Sequence, residues 1–345
     1  MAFELQAESM TTDAPTTFAH PDWIRAISAQ VPGSVHVQVP EQGKPRLELR
    51  LRKSNLHFDS WITPLTPNAL PAASADIAPG DAALLFEQLA SPVLLRNLPV
   101  EHPTTKALLA AATHVNVLNS WERSCLRLNG SYDAWLSTNF DHKRRKEYKR
   151  LRNRLSEQGE LQVSRLQPGD DLAPYIKAFL DLEAMGWKGK RGTALQNDGQ
   201  MVAALRNGLA ALHLKGNIRF WLMQMDGRPI AALFALIDGP EATLGKIAHD
   251  ETMSRYSPGV LIILAATEDL YADKSLTLAD SNAIPGHPMI DRIWRDRLAC
   301  MDVLLAGSNV STALFSGIAG FLGMKNAMRN FAKRVILRVT GNRRS

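Results

Sequence analysis

Residues Ala242–Asp280 read ATLGKIAHDETMSRYSPGVLIILAATEDLYADKSLTLAD, a strand, a turn, a helix and a second strand in unbroken succession. Thr243 to His249 alternates apolar with small or polar residues, the period of a half-buried strand, and the polar run Asp250 to Ser257 breaks that period. Pro258 and Gly259 close the turn. From Val260 to Ala266 the residues are apolar without interruption, continuing to Leu270 and Tyr271, which predicts a buried helix. Proline at a first helical position forfeits nothing, because its missing N–H would have been an orphan donor. The amides of Gly259 and Val260, with the positive end of the helix dipole, are then expected to face outward as an anion site, and Arg255 adds a full charge just before it. A buried helix that begins the same way with nothing bound is the equal alternative at this point.

The chain of 345 residues is long enough for two domains and carries enough apolar residues for real cores. Its longest apolar runs, Val260 to Ala266 and Val303 to Ala306, fall far short of the roughly 20 residues a bilayer span needs. The opening MAFELQAESMTTD has acidic residues and no apolar run, so it does not read as a secretory signal, and a cytoplasmic location is expected. Cys125 and Cys300 lie far apart without CxxC spacing, so neither a disulfide framework nor a zinc site is predicted, and both are expected to be buried thiols. No metal is expected. An excess of 40 basic over 34 acidic residues gives +6, which favours anionic partners without selecting nucleic acid, lipid or coenzyme.

Working outward, the first part predicts a helix over His20 to Gln30, strands at Ser34 to Val39 and Arg46 to Leu51, and a Pro- and aromatic-rich loop from Asn55 to Ala73. A helix at Asp81 to Ala90, a strand at Pro92 to Leu98 and a helix at Thr104 to Ala112 complete a small α/β unit ending near Leu118. It holds no phosphate loop and no spaced acid pair, so packing or substrate shaping is assigned to it. Trp121 to Leu128 predicts a strand. The charged helix that follows, FDHKRRKEYKRLRNRLSEQG, sets Lys143, Arg144, Arg145, Lys146, Lys149, Arg150, Arg152 and Arg154 against the single early acid Glu147. Such density suits phosphates. A solvated helix packing Tyr148, Leu151 and Leu155 inward is the favoured reading, and the lack of interleaved aromatics for base stacking counts against nucleic acid.

Beyond Glu160 come a strand (Leu161 to Leu166), helices at Leu172 to Met185 and Gly199 to Leu214, and a hairpin of Ile218 to Met225 with Pro229 to Asp238 across Asp226-Gly227-Arg228. Between the two helices GWKGKRGTAL, Gly186 to Leu195, is too rich in glycine and charge to predict a helix and reads as a loop over the site. After the opening stretch a helix is predicted at Met289 to Arg297 and a last strand at Met301 to Ala306.

This order of elements, with FLDLEAMGWKGKRGTAL, WLMQMDGRPIAALFAL, KIAHDETMSRYSPGVLII and DSNAIPGHPMIDRIWRDR, resembles the GNAT acyltransferases of the CelD-like (cellulose-biosynthesis type) family, which is itself similar to the Fem-type double-GNAT proteins. The resemblance implies an α/β protein of two GNAT-like domains, mixed central sheets flanked by helices. The first would be a degenerate domain over 1–118 and the second the catalytic domain over 119–345. It implies an N-acyltransferase that moves an acyl group from acyl-CoA or an acyl carrier protein to an amine, such as a lipid or an envelope or polysaccharide precursor. Arg255, Tyr256, Ser257, Pro258, Gly259 and Val260 would form the coenzyme phosphate loop. Pro258 stands where that loop's first glycine would be, which admits two alternatives: a Fem-like transferase fed by aminoacyl-tRNA, with the basic helix on RNA, or an inactive GNAT-fold scaffold in polysaccharide export.

In such a site the amine attacks the thioester directly. A backbone amide near the end of the Thr243 to His249 strand would polarise the carbonyl, where loss of one donor costs about 3 kcal/mol. His249, Asp280, His287 and Asp291 are the candidate proton acceptors; His287 titrates near neutrality unaided, and the two aspartates are equally suited to orienting an amine or capping a helix. Trp187, Lys188, Lys246 and Asn282 are the candidate substrate contacts.

From about residue 310 the tail is basic and amphipathic. No acid follows Asp302, while Lys325, Arg329, Lys333, Arg334, Arg338, Arg343 and Arg344 accumulate and Met324, Met328, Phe331, Val335 and Val339 recur on one helical face. Such a helix either packs on the catalytic domain or lies on an anionic membrane, which would make the protein peripheral on the inner membrane.

Overall fold

The computed structural model describes residues 18, 20–40, 45–68, 70–74 and 76–341, and in the last helix side chains as far as 329 and at 331 and 332. In chain order the elements are α1 (Pro21–Gln30), β1 (Val35–Val39), β2 (Leu47–Lys53), β3 (Phe58–Ser60), β4 (Ala72–Ala73), α2 (Pro79–Leu89), β5 (Val93–Pro99), α3 (Pro103–Ala111) and β6 (His114–Arg127). Then follow α4 (Tyr132–Asn139), α5 (His142–Ser156), β7 (Leu161–Arg165), α6 (Ala173–Met185), α7 (Trp187–Lys190), α8 (Gly199–His213), β8 (Ile218–Met225), β9 (Arg228–Asp238) and β10 (Glu241–His249). The chain closes with α9 (Pro258–Ala272), β11 (Leu278–Asp280), β12 (Asp296–Ala306) and α10 (Thr312–Gly341).

Two compact units share the chain. Unit 1 takes residues 1–33, 62–67 and 122–298, and unit 2 takes 34–61, 68–121 and 299–345. A division at residue 118 would fall inside β6, which runs from one unit into the other, as β12 does.

Unit 1 is built on strands in the order β6-β11-β10-β9-β8-β7. The β8–β9 hairpin turns on Asp226 and Gly227, both at positive φ (48° and 75°), the geometry for which Asp-Gly is suited. Along β9 successive side chains point to opposite faces. Leu233 joins the core under α9, while Phe234 meets Phe179 of α6 edge-on with centroids 5.7 Å apart. Helix α9 buries Leu261, Ile262, Ile263, Leu264 and Leu270, each contributing roughly 1.5–3 kcal/mol of apolar burial, so it serves as the hub of this core. Helix α1 packs on α8: Trp23 is fully buried, donates from Nε1 to Leu65 O at 2.9 Å, and lies so close to Gly208 that a Cβ there would come within 2.6 Å of its ring.

Unit 2 has the strand order β1-β2-β3-β5-β12, with β4 beside β2. Val93, Leu95, Val303 and Leu305 face a core shared with Leu85 and Phe86 of α2 and Leu108 of α3. On the alternate face Leu94 and Leu304 meet Phe315, Ile318 and Leu322 of α10.

Three local expectations are corrected. Met289 to Arg297 forms one 3₁₀ turn, Ile290–Arg292, and no α-helix, because Ile290, Ile293 and Trp294 are all buried and Trp294 Nε1 is tied to Thr267 Oγ1 at 3.0 Å. The chain then enters β12 at Asp296, five residues before the predicted start. Gly186 to Leu195 is not all loop: Trp187–Lys190 makes a helical turn, its first amide donating to Glu251 Oε1 at 2.7 Å. The Asn55 to Ala73 segment contributes β3 and β4, short strands that its prolines and aromatics hid. Cys125 and Cys300 are buried thiols, as expected.

Candidate active site

Strand β10 is bonded to β11 only through Glu241, Ala242 and Thr243, opposite Leu278, Ala279 and Asp280. Beyond Thr243 it continues to His249 against β9 alone. The two parallel strands therefore part, and a cleft of about 700 Å³ opens where they separate. Its walls are the end of α6 with α7, the second half of β10, and the segment 281–290 that follows β11.

A bulge aims the floor of this cleft. The β9–β10 register shifts between Leu244 and Ile247, so Gly245 and Lys246 together oppose Phe234. Glycine is required there: a Cβ on Gly245 would lie 2.0 Å from the Phe234 ring. Lys246 lines the cleft with no hydrogen bond or ion pair to any described residue. Burial pushes its ammonium down to about 8, with repulsion from Lys188 adding to this and Glu183 opposing it. Lys188, by contrast, is paired with Glu183 Oε1 at 2.5 Å, and Glu183 Oε2 accepts from Leu195 N at 2.9 Å.

All four expected substrate contacts, Trp187, Lys188, Lys246 and Asn282, line this one cleft. Asn282 is held at φ +50° by its own N–H donating to Asp280 Oδ1 at 2.8 Å, and its buried Oδ1 has no partner. An unpaired buried carbonyl oxygen is costly, and it offers an acceptor for an incoming N–H donor.

The four proton-acceptor candidates separate into two pairs. His249 and His287 line the cleft, and burial lowers the pKa of each, against a raising influence from Glu251 and Asp250 on His249 and from Asp291 on His287. Asp280 and Asp291 do not line it. Asp280 is clasped by buried Arg123 through Nε–Oδ1 at 2.8 Å and Nη2–Oδ2 at 2.5 Å, and Asp291 accepts from Ser124 Oγ at 2.5 Å. Arg123 thus ties Asp280, and Ser124 ties Asp291, back to β6.

The expected phosphate loop is more closed than its sequence promised. Val260 N–H and Leu261 N–H both donate to Ser257 O, at 3.0 and 3.1 Å, so the Val260 amide is not free, and Pro258 brings none. Gly259 sits beneath Met289 Sδ and the His249 ring, where a Cβ would come within 3.0 and 3.1 Å, and Arg255 lies over the Tyr256 ring at 4.6 Å. None of Arg255, Tyr256, Ser257, Pro258, Gly259 and Val260 lines the cleft; Gly259 meets it through His249 and Met289. This turn leaves a pyrophosphate the Gly259 amide and the Arg255 guanidinium, a partial fit to coenzyme A. No group of three or more His, Cys, Asp or Glu able to hold a metal occurs among the described residues.

Sequence reasoning missed Glu183 and Glu251, which fix α7 at the cleft. Their only signal was acid placed at the end of α6 and just after β10, within reach of LysGlyLys on α7. Helix α5 buries Tyr148 and Leu155 as expected and leaves Lys143, Lys146, Lys149, Arg150, Arg152 and Arg154 exposed, with Arg144 and Arg145 half-buried.

Residues 142–281 match the family described as an acetyltransferase (GNAT) domain. No curated protein matches the sequence. Among solved structures, FemX is similar over 89% of this chain and 96% of its own, at 10% identity and a TM-score of 0.56. L-PGS from Bacillus licheniformis is similar over 91% and 99%, at 10% identity and 0.51. A domain from Agrobacterium fabrum, the C-terminal domain (DUF2156) of a protein assigned as a lysylphosphatidylglycerol synthetase, is similar over 87% and 91%, at 10% identity and 0.51. The α/β fold, with mixed sheets and flanking helices, is of the GNAT kind. Residues 142–281 thus resemble a GNAT acetyltransferase domain, and the fold of the chain is similar to that of FemX; the CelD-like assignment is not supported by these likenesses.

Proposed function

We propose that the cleft of unit 1 carries out N-acyl transfer from an acyl thioester to an amine. The observation that carries this reading is the parting of β10 from β11 after Thr243, inside the segment that matches the GNAT domain. On the β11 side the backbone beyond Thr243 has no strand partner, so amides there are placed to donate to a thioester carbonyl. The amine nitrogen attacks that carbonyl, forming the C–N bond and a tetrahedral oxyanion held by the amide donor. The C–S bond then breaks, the thiolate leaves, and the surplus proton on nitrogen passes to His249 or His287. Rings whose pKa values are lowered are already neutral at pH 7 and able to accept it. Lys246 and Lys188 attract an anionic part of a substrate, Trp187 covers it, and Asn282 Oδ1 accepts an N–H from the acceptor or from the donor's amide-containing arm.

The donor is acyl-CoA or an acyl carrier protein, and the acceptor belongs to the lipid or envelope precursors; the assigned activity of the Agrobacterium relative supports a lipid acceptor. A second reading, an aminoacyl-tRNA donor, is favoured by one observation: the closed first turn of α9 together with the outward basic face of α5, where Arg145, Lys146, Lys149 and Arg150 line a shared surface hollow. Native mass spectrometry of the protein with acyl-CoAs, acyl carrier protein and tRNA distinguishes the donors, followed by thioester turnover with a panel of amines. Binding of tRNA alone would select the second reading. Binding of none would remove both and favour a scaffold.

A further inference from the structure

Helix α10 changes character along its length. Phe315, Ile318 and Leu322 are buried against Leu94, Leu304 and Ala306. Lys325 and Arg329, three and seven residues beyond Leu322, carry on along that same helical face, and both are exposed. The face that packs on the sheet thus turns basic once it passes Leu322. Beside it runs a second stripe: Phe321, Met324, Met328 and Phe331 recur at spacings of three and four and are exposed by 50%, 59%, 66% and 70%. Leu314, half exposed, extends that line toward the helix start. Single apolar side chains on a surface are ordinary, but five along roughly 25 Å of one helix form an uncovered apolar face.

The spacing would also suit the seam of a two-helix coil with a second copy. Charge argues against that occupant. From Val303 to Ser345 the sequence holds no Asp or Glu and seven Lys or Arg, five of them beyond the described side chains, so a second α10 would bring only like charge to the flanks of the seam. An anionic surface complements both stripes at once. We infer that α10 binds the surface of an anionic lipid bilayer, its Phe321-Met324-Met328-Phe331 stripe seated at the acyl boundary and Lys325 and Arg329 against headgroup phosphates. It binds as a surface helix: among the described residues no helix is long and apolar enough to cross a membrane. This inference stands apart from acyl transfer and survives the failure of that reading.

The test uses the full chain with sedimenting vesicles of phosphatidylcholine alone or mixed with phosphatidylglycerol. Co-sedimentation is expected only with the phosphatidylglycerol vesicles, weakening as salt is raised. Met328→Asp/Phe331→Asp is expected to lose vesicle affinity by roughly tenfold or more at unchanged melting temperature, because both side chains are exposed. Lys325→Glu/Arg329→Glu should lose as much on anionic vesicles. A wild-type protein that ignores anionic vesicles, or a Met328→Asp/Phe331→Asp variant that binds them undiminished, overturns the inference. So does a wild-type dimer in light scattering that Met328→Asp/Phe331→Asp alone dissociates, which would assign the stripe to a second copy.

Discussion

Replacing Gly245 by alanine tests whether the bulge in β10 sets the cleft. The added Cβ would stand 2.0, 2.5 and 2.6 Å from three atoms of the Phe234 ring, and the ring cannot step aside: Phe179 and Phe220 flank it at centroid distances of 5.7 and 5.6 Å. Overpacking a closed core costs about 1–3 kcal/mol, and a contact this short belongs at the upper end. At ~2–4 °C per kcal/mol for a unit of this size, Gly245→Ala should lower the melting temperature by about 6–12 °C. Calorimetry measures it directly. Phe234→Leu removes the ring atoms that clash and should cost roughly 1 kcal/mol alone. The double variant should then melt above Gly245→Ala, a coupling of opposite sign to the two single losses. If Gly245→Ala melts within about 1 °C of the wild type, or if the losses simply add, the bulge is not held by this contact and the placement of Lys246 needs another cause.

Other outcomes follow from the same geometry. Arg123→Met leaves Asp280 charged and buried and should cost about 3–5 kcal/mol in urea unfolding, while Arg123→Met/Asp280→Leu should recover most of it; equal stability of the single variant would show that the pair is solvated. With a turning-over substrate, Gln at whichever of His249 and His287 takes the proton should lower kcat by roughly 10²–10⁴-fold, and full activity of both His249→Gln and His287→Gln would remove the proposed base. Stability should fall in two stages on acidification. His20, His57, His249 and His287 all bind protons more weakly folded than their usual 6.5, so the unfolded chain takes up protons first as pH drops below about 6.5. Asp22, Asp81, Asp250 and Asp273 have lowered values too, and their contribution is present above the usual carboxylate range and lost as pH falls through it. A melting temperature flat from pH 7 to 5 would contradict the histidine stage.

Much of unit 1 was legible because its signals are local. Asp226-Gly227 dictates the hairpin and the run from Val260 dictates α9, so the element order could be read by period alone. Lys246, Trp187, Lys188 and Asn282 line one cleft because each flanks a strand end or turn that the element order already placed. What could not be read is pairing across long separations. Nothing near Asp280 announces Arg123, 157 residues away, yet that contact decides what one candidate base is bonded to. Likewise Ile290 and Trp294 sit at helical spacing, and only their burial against α9 shows why the segment bends into a strand. The amide of Val260 looked free because a turn that bonds to itself leaves no trace in residue types.

Helix α1 carries a consequence for how the molecule is made. Trp23 is synthesised well before its seat at Gly208 on α8, with all the strands from β1 to β7 made in between. A contact of such sequence separation closes late and slowly. Until it does, an indole waits in solvent and α8 shows an apolar notch, so the nascent chain passes through a stage that is open to chaperones and to self-association. A fragment beginning at residue 119 would be held at that stage permanently.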